Sequence, residues 1–263
     1  MAPDPEPRTG GVVLLAGPGY STDIVANHLR RQVPDLVVVV EEPPSRTTMA
    51  RRRARRVGWV AAVGQVLFVT VGQPFLRRRA ATRREAIATD AGFDTRPHRP
   101  DHTVPTVNDD RVPALLEQFR PSVTVVNGTR IIASRVLDAV DGPVINMHAG
   151  ITPRYRGTHG GYWALAEGHP EWVGTTIHLV DPGIDTGGIL AQATFEITER
   201  DTFATYPDLH LVAGLPLLGA MVDRALAGEA LVPELTGLAP GSRLYYHPTL
   251  WGYLWCRWRR GVR

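Results

Sequence analysis

The segment from Val144 to Gly157 reads Val-Ile-Asn-Met-His-Ala-Gly-Ile-Thr-Pro-Arg-Tyr-Arg-Gly, followed by Gly174-Thr-Thr and then Val180-Asp-Pro-Gly-Ile-Asp-Thr-Gly187. It sets an amide (Asn146), an imidazole (His148) and a carboxylate (Asp185) on short turns beside apolar strands. Such a set suits an amine attacking a formyl-type carbonyl, where negative charge grows on oxygen and positive charge on nitrogen in one tetrahedral intermediate. Asn146 and His148 would donate to the oxyanion, each preorganised donor being worth about 3 kcal/mol. Asp185 would keep the imidazole charged or correctly oriented and take, directly or through water, the proton shed by the amine. The chemistry needs no covalent nucleophile, and the sequence offers little for one: there is no Gly-x-Ser-x-Gly elbow, and Cys256 lies in a basic aromatic tail.

Composition narrows the function classes further. All 29 basic residues are arginine, because the chain has no lysine, which excludes a lysine Schiff base, a pyridoxal-phosphate lysine and a Walker lysine. With 43% hydrophobic and 21% charged residues the chain has the balance of an ordinary globular protein able to bury a core. The single cysteine, Cys256, has no partner for a disulfide or a cysteine metal site, which fits a cytoplasmic protein. The polar, proline-rich residues 1–9 lack the apolar stretch of a signal peptide and read as a disordered lead-in. His98, Asp101 and His102 lie among prolines with no further ligand evident, so no metal is expected.

The elements that must position these groups alternate between strand and helix. Val12–Ala16 and Leu36–Val40 are unbroken apolar runs, the mark of buried parallel strands, and a helical pattern through Ile24, Val25, His28 and Leu29 lies between them. Alternation resumes with a helix over Val112–Phe119, a strand over Val123–Asn127, a helix over Ile131–Ala139 and a strand over Val144–Asn146. A helix over Gly160–Glu167 and a strand over Gly174–Val180 follow. The fold class is therefore α/β, a Rossmann-like, mostly parallel sheet with helices on both faces and a short C-terminal accessory segment. Asn146 and His148 fall at the C-terminal end of a strand, where open α/β sheets place ligands. Gly17 and Gly19 read as a plain βα turn or as a weak dinucleotide fingerprint lacking its third glycine, with Glu41 or Glu42 as the ribose partner. The latter would make the chain a nicotinamide oxidoreductase.

Residues 46 to 105 interrupt the rhythm with Arg51-Arg-Arg-Ala-Arg-Arg56, an uncharged stretch from Val57 to Leu76, and Arg77-Arg-Arg79. This insertion reads as a helix pair, either touching a membrane surface or a phosphorylated substrate through its arginines, or buried with solvated arginine ends. The tail with Trp251, Trp255 and Trp258 is either a docked terminal segment or part of a membrane-associated binding module. The division expected is a catalytic domain over 10–205, carrying the insertion, and a helix with an aromatic, basic tail over 206–263.

In the Asn-x-His after a central strand, the Pro-x-Tyr-Arg-Gly loop, the Gly-Thr strand start and the Asp-x-Gly-x-Asp-x-Gly turn, the sequence resembles the folate-dependent formyltransferase family. The resemblance covers about residues 110 to 200 well and the opening βα unit loosely. It implies that Asn146, His148 and Asp185 are the catalytic trio and that N10-formyltetrahydrofolate is the donor. It further implies that the donor lies near Gly128, Arg130, Ile131 and Ile132, with Asp181 and Gly183 in the loop that closes over it. Arg154, Arg156 and His159 flank the acceptor side; Asp181 reads alternatively as a turn former, the two arginines as solvated charges, and His159 as a cap for the next helix. Methionyl-tRNA members of the family carry a separate C-terminal β-barrel, whereas the residues after Asp185 read as a helix around Leu209–Leu226 and a short tail, so no nucleic acid is expected. Within the family, the sugar N-formyltransferases acting on nucleotide-linked amino sugars fit best, with a glycinamide ribonucleotide or secondary-metabolite amine as the alternative. The acceptor would be a small, anionic amine; a peripheral membrane contact and a homodimer stay open.

Overall fold

Alternate side chains of the first strand enter two different cores, which fixes it at the centre of a sheet covered on both faces. The computed structural model describes residues 10–45, 55, 57–234 and 241–263, so the expected lead-in and nearly all of the run 51–56 lie outside the described residues. The chain runs through β1 (Val12–Ala16), α1 (Tyr20–Gln32) and β2 (Val37–Glu41) into α2 (Trp59–Arg79), whose middle, Phe68–Gly72, is a π turn. It continues through α3 (Ala81–Asp90), β3 (His102–Val104), α4 (Arg111–Phe119), β4 (Val123–Asn127), α5 (Ser134–Leu137), β5 (Val144–His148), β6 (Tyr155–Gly157) and α6 (Gly160–Glu167). It closes with β7 (Gly174–Leu179), β8 (Ile189–Thr194), α7 (Tyr206–Leu226), β9 (Arg243–Tyr245) and α8 (Leu250–Arg260).

Seven strands form one sheet in the order β3-β2-β1-β4-β5-β7-β8, parallel from β3 to β5 and antiparallel for β7 and β8. Val12, Leu14 and Ala16 pack with α1 and with Leu211, Leu215 and Leu218 of α7; Val13 and Leu15 pack on the other face with Val112 and Leu116 of α4 and Val136 of α5. The expected fold class is the observed one, a mostly parallel sheet between two helix layers.

Three particulars differ from the sequence reading, and a fourth takes the plain βα turn of the two readings given for Gly17. β3 lies inside the expected insertion yet pairs with β2 as the edge of the main sheet, held there by Asp101, whose Oδ2 accepts from the Val38 N–H and from Arg30. The helix expected over Ile131–Ala139 shrinks to Ser134–Leu137, because the Asn108 side chain bonds the Ile131 carbonyl and the Ala133 N–H and holds that backbone extended. α7, placed outside the catalytic domain by the sequence reading, is part of the core on β1, so packing crosses the expected boundary at 205. Gly17 and Glu41 do not form a dinucleotide site. A Cβ on Gly17 would meet the Gly128 carbonyl at 2.3 Å, and the Glu41 carboxylate is spent on the Val107 N–H and on the backbone and guanidinium of Arg130.

The insertion is tied to the domain by two arginines. Arg84 of α3 grips Asp208 of α7 with two hydrogen bonds of 2.7 and 3.0 Å, and Arg83 meets Asp201 at 2.9 Å. Both carboxylates are 1% exposed; Asp201 also accepts from Thr198, whereas Asp208 relies on Arg84. We predict that Arg84→Ala costs about 3 kcal/mol in urea unfolding, because it strands a buried carboxylate, and that a joint Arg84→Met, Asp208→Leu change recovers most of that loss. A second prediction concerns pH. Burial drives the His210 pKa from 6.5 down to about 3. Its folded pKa lies below the unfolded one, so its contribution to stability is complete above pH 6.5 and is lost as pH falls toward 3, on the order of 4 to 5 kcal/mol from this group. Thermal unfolding followed between pH 7 and 4 should show that decline, and His210→Gln should flatten it.

Candidate active site

Asn146 and His148 are two residues apart on β5 and therefore share one face of the strand. β7 runs antiparallel beside it with Asn146 opposite His178 and His148 opposite Thr176. This register adds a residue the sequence reading missed: Asn146 Nδ2 lies 3.1 Å from His178 Nε2. His178 donates from Nδ1 to the Leu179 carbonyl at 2.7 Å, which leaves Nε2 as the acceptor for the Asn146 amide. One amide hydrogen of Asn146 is thereby fixed and the other remains for a ligand.

Asp185 arrives from the turn after β7. It takes a left-handed backbone (φ +50°), a conformation aspartate tolerates. Asp181 builds that turn by accepting from the Gly183 N–H at 3.0 Å and the Thr186 hydroxyl at 2.7 Å, so of its two readings it takes the turn former. Gly183 is required there, since a Cβ would stand 1.8 Å from Thr186 Oγ1. The Asp185 carboxylate accepts from the Gly157 N–H at 2.8 Å and lies 3.4 Å from His148 Nδ1 and 3.6 Å from His178 Nε2. Burial alone would raise its pKa, but His148, which is protonated in the acid range where the carboxylate titrates, the contact with His178 and the Gly157 N–H outweigh that and bring it down to about 2. It is therefore ionised throughout the neutral range.

His148 is buried and bonds the Tyr155 carbonyl through Nε2 at 2.8 Å, so Nε2 carries a hydrogen and Nδ1 faces Asp185. Burial lowers its pKa below the ordinary histidine value, with Asp185 opposing. The resting ring is neutral, and its open protonation site lies against the carboxylate that would stabilise the imidazolium.

The remaining expected residues divide. Gly128 (φ +65°) ends β4 beside β5, with open space where a Cβ would be, and Ile131 is half exposed next to it. Arg130 is neutralised by Glu41 and bonds the Pro105 and Glu42 carbonyls, and the Ile132 side chain packs in the core, so neither presents its side chain as a free ligand group. Arg156 bonds the Ile184 carbonyl and Ser242 Oγ, bracing the Asp185 turn, and has no carboxylate partner among the described residues. Arg154 turns toward His169 and stacks over Trp172, away from Asp185. His159 takes the N-cap position of α6 but makes no cap bond; its ring meets His247 at 2.9 Å and packs on Phe203. Among the described residues no group of three His, Cys, Asp or Glu gathers as a metal site.

The geometry thus gathers one amide donor, a neutral imidazole and an ionised carboxylate where β5 and the turn after β7 meet. The chain is 35% identical over 177 residues to a methionyl-tRNA formyltransferase of Anaeromyxobacter sp. (strain K), covering 65% of this chain and 54% of the relative. It is 35% identical over 130 residues to one of Pelotomaculum thermopropionicum, covering 49% and 41%. The chain thus spans about half the length of these curated relatives or less. Among solved structures it shares its fold with glycinamide ribonucleotide transformylase 1 from Symbiobacterium toebii (TM-score 0.54, 18% identity, 88% of this chain and 95% of that one). The same holds for a sugar N-formyltransferase from Shewanella sp. (TM-score 0.50, 17% identity, 87% and 76%). The formyl transferase family profile matches residues 79–211, half of the chain and the part that carries Asn146, His148 and Asp185, and the chain belongs to that family.

Proposed function

We propose that the chain moves a formyl group from N10-formyltetrahydrofolate to the primary amine of a small anionic acceptor, with nucleotide-linked amino sugars as the acceptor class. The observation that carries the reading is the convergence of His148 on Asp185 at 3.4 Å and of Asn146 and Asp185 on His178 at 3.1 and 3.6 Å. The Asn146 amide hydrogen not held by His178 stabilises the oxyanion. His148 takes a different part from the one its residue type suggests. With Nε2–H committed to the Tyr155 carbonyl, it works from Nδ1, where it accepts the proton shed by the attacking amine while Asp185 stabilises the resulting imidazolium. The donor's ring system fits the open Gly128 turn and the exposed Ile131 beside it, next to Asn146.

An anionic acceptor is favoured by Arg156, whose guanidinium is held by a carbonyl and a hydroxyl and keeps its charge uncompensated at the edge of the Asp185 turn. The Shewanella fold neighbour, by its name, formylates sugars. A second reading, methionyl-tRNA as acceptor, rests on the 35% identity to the methionyl-tRNA formyltransferases.

Mass spectrometry with the folate donor on nucleotide-linked amino sugars, glycinamide ribonucleotide and methionyl-tRNA decides between them: the proposal expects one formyl group gained by an amino sugar, and formylated tRNA in its place overturns the acceptor class. Asp185→Asn should lower kcat/KM by at least about 2 kcal/mol, roughly thirtyfold, while folate binding is kept. Wild-type turnover in that variant contradicts the role given to Asp185. The rate should fall on the acid side, as protonation removes both the nucleophilic amine and the neutral His148; a flat profile across neutral pH contradicts the scheme.

A further inference from the structure

Two helices distant in sequence turn apolar faces to solvent and join into one surface. α2 exposes Trp59 (71%), Val60 (77%), Val63, Leu67, Val71 and Phe75. From Val63 these recur every four residues, a spacing that drifts by about 40° per step around an α-helix; the wider π turn at Phe68–Gly72 takes up part of the drift and keeps the stripe on one side. α8 exposes Trp251, Leu254, Trp255 and Trp258 (80%), the i, i+3, i+4, i+7 spacing of a single helical face. Their other faces are buried: Phe68 of α2 packs on Phe203 and on Tyr253 of α8, beside Cys256. The two stripes meet where the Trp251 ring lies over Gly64, so close that a Cβ there would stand 2.4 Å from it. Of the large hydrophobic side chains exposed among the described residues, all but Ile131, Val212, Leu226 and Val232 lie on these two helices.

The two helices themselves carry charge of one sign only. Neither helix contains an aspartate or glutamate. α2 ends on Arg77, Arg78 and Arg79 and α8 carries Arg257, Arg259 and Arg260 in its last turn, all exposed and none in a salt bridge among the described residues. Arg79 and Arg260 lie over the Phe75 and Trp255 rings. Arg55, also exposed, precedes α2.

We propose that this face seats the protein on the surface of an anionic phospholipid bilayer, with α2 and α8 lying in the interface plane. Tryptophans belong at the headgroup level, and guanidinium groups around them meet lipid phosphates. A second copy is the poorer occupant, since a self-complementary contact would bring arginine-rich, acid-free helix ends together. A membrane span is poorer still, since the inner face of α2 is bonded into the protein through Phe68 and cannot be surrounded by lipid. α7, equally long and apolar, is spent on the sheet core. Docked this way, the protein turns toward the bilayer a cavity of about 370 Å³ between Gln65, Trp255 and His247, the last in contact with His159 at the start of α6.

The test is sedimentation of the full chain with vesicles of phosphatidylcholine alone or with added phosphatidylglycerol, without any formyl donor, so that failure of the catalytic reading leaves the result unaffected. Expected is pelleting with the anionic vesicles that weakens as salt rises, and at least about tenfold weaker binding to neutral ones. Trp255→Glu with Trp258→Glu should reduce binding to anionic vesicles by a similar factor while the thermal unfolding profile is unchanged, and Val212→Glu, an exposed position off the surface, should not. Absence of pelleting, or equal pelleting of the double variant, overturns the proposal. So does an ultracentrifugation dimer that the double variant dissociates, which assigns the face to a second copy, or resistance to carbonate extraction, which assigns it to a span.

Discussion

The arrangement around Asp185 depends on keeping one nearly buried carboxylate negatively charged. A carboxylate out of water is unstable unless a donor or a group that can carry positive charge stands beside it. Asp185 has a backbone donor from Gly157 and two imidazoles at its edge, and each is delivered by a different piece of the chain. β5 brings His148, the antiparallel β7 brings His178, and the loop ending in Gly157 brings the N–H. Arg156 then locks that loop to the turn by bonding the Ile184 carbonyl. The left-handed backbone of Asp185 is tolerated because the contacts on either side determine it completely.

The neutral resting state of His148 follows from the same economy of charge. With Asp185 ionised, a second permanent charge in the pocket would need its own solvation, and burial withholds it. The imidazole therefore rests uncharged and can gain a proton only on the side where the carboxylate awaits it. His178 complements this by fixing the Asn146 amide through its nitrogen, a tautomer set by the Leu179 carbonyl. The Asn146 amide and the open nitrogen of His148 are held apart by two histidines with opposite hydrogen placement.

Much of this was legible in the residues. Apolar runs ending in Asn-x-His and in an Asp-Gly turn announce strand ends carrying polar groups, and a continuous branched run announces a covered parallel strand. The failures share a cause. His178 sits in Gly174–Leu179 as one polar member of an ordinary strand, and its importance exists only through the register with β5, a non-local fact. β3 is three residues in a polar, proline-containing stretch, recruited by Asp101 and not by propensity. The resemblance placed Arg130 and Ile132 near the donor, but it does not show that Glu41 engages the one side chain and the core the other, choices made by residues far away in sequence. His159 looked like a cap or a pocket residue and is a strut to His247.

β9 gives the tail a bearing on acidity. Its strand, Arg243–Tyr245, pairs in parallel with Tyr155–Gly157, and the Gly157 N–H is the one that holds Asp185. Ser242, the residue before that strand, takes up Arg156 and bonds the Pro153 carbonyl. The last stretch of the chain is thus mechanically in series with the reaction centre. Where β9 sits therefore bears, through one peptide N–H, on how strongly the Asp185 carboxylate holds a proton.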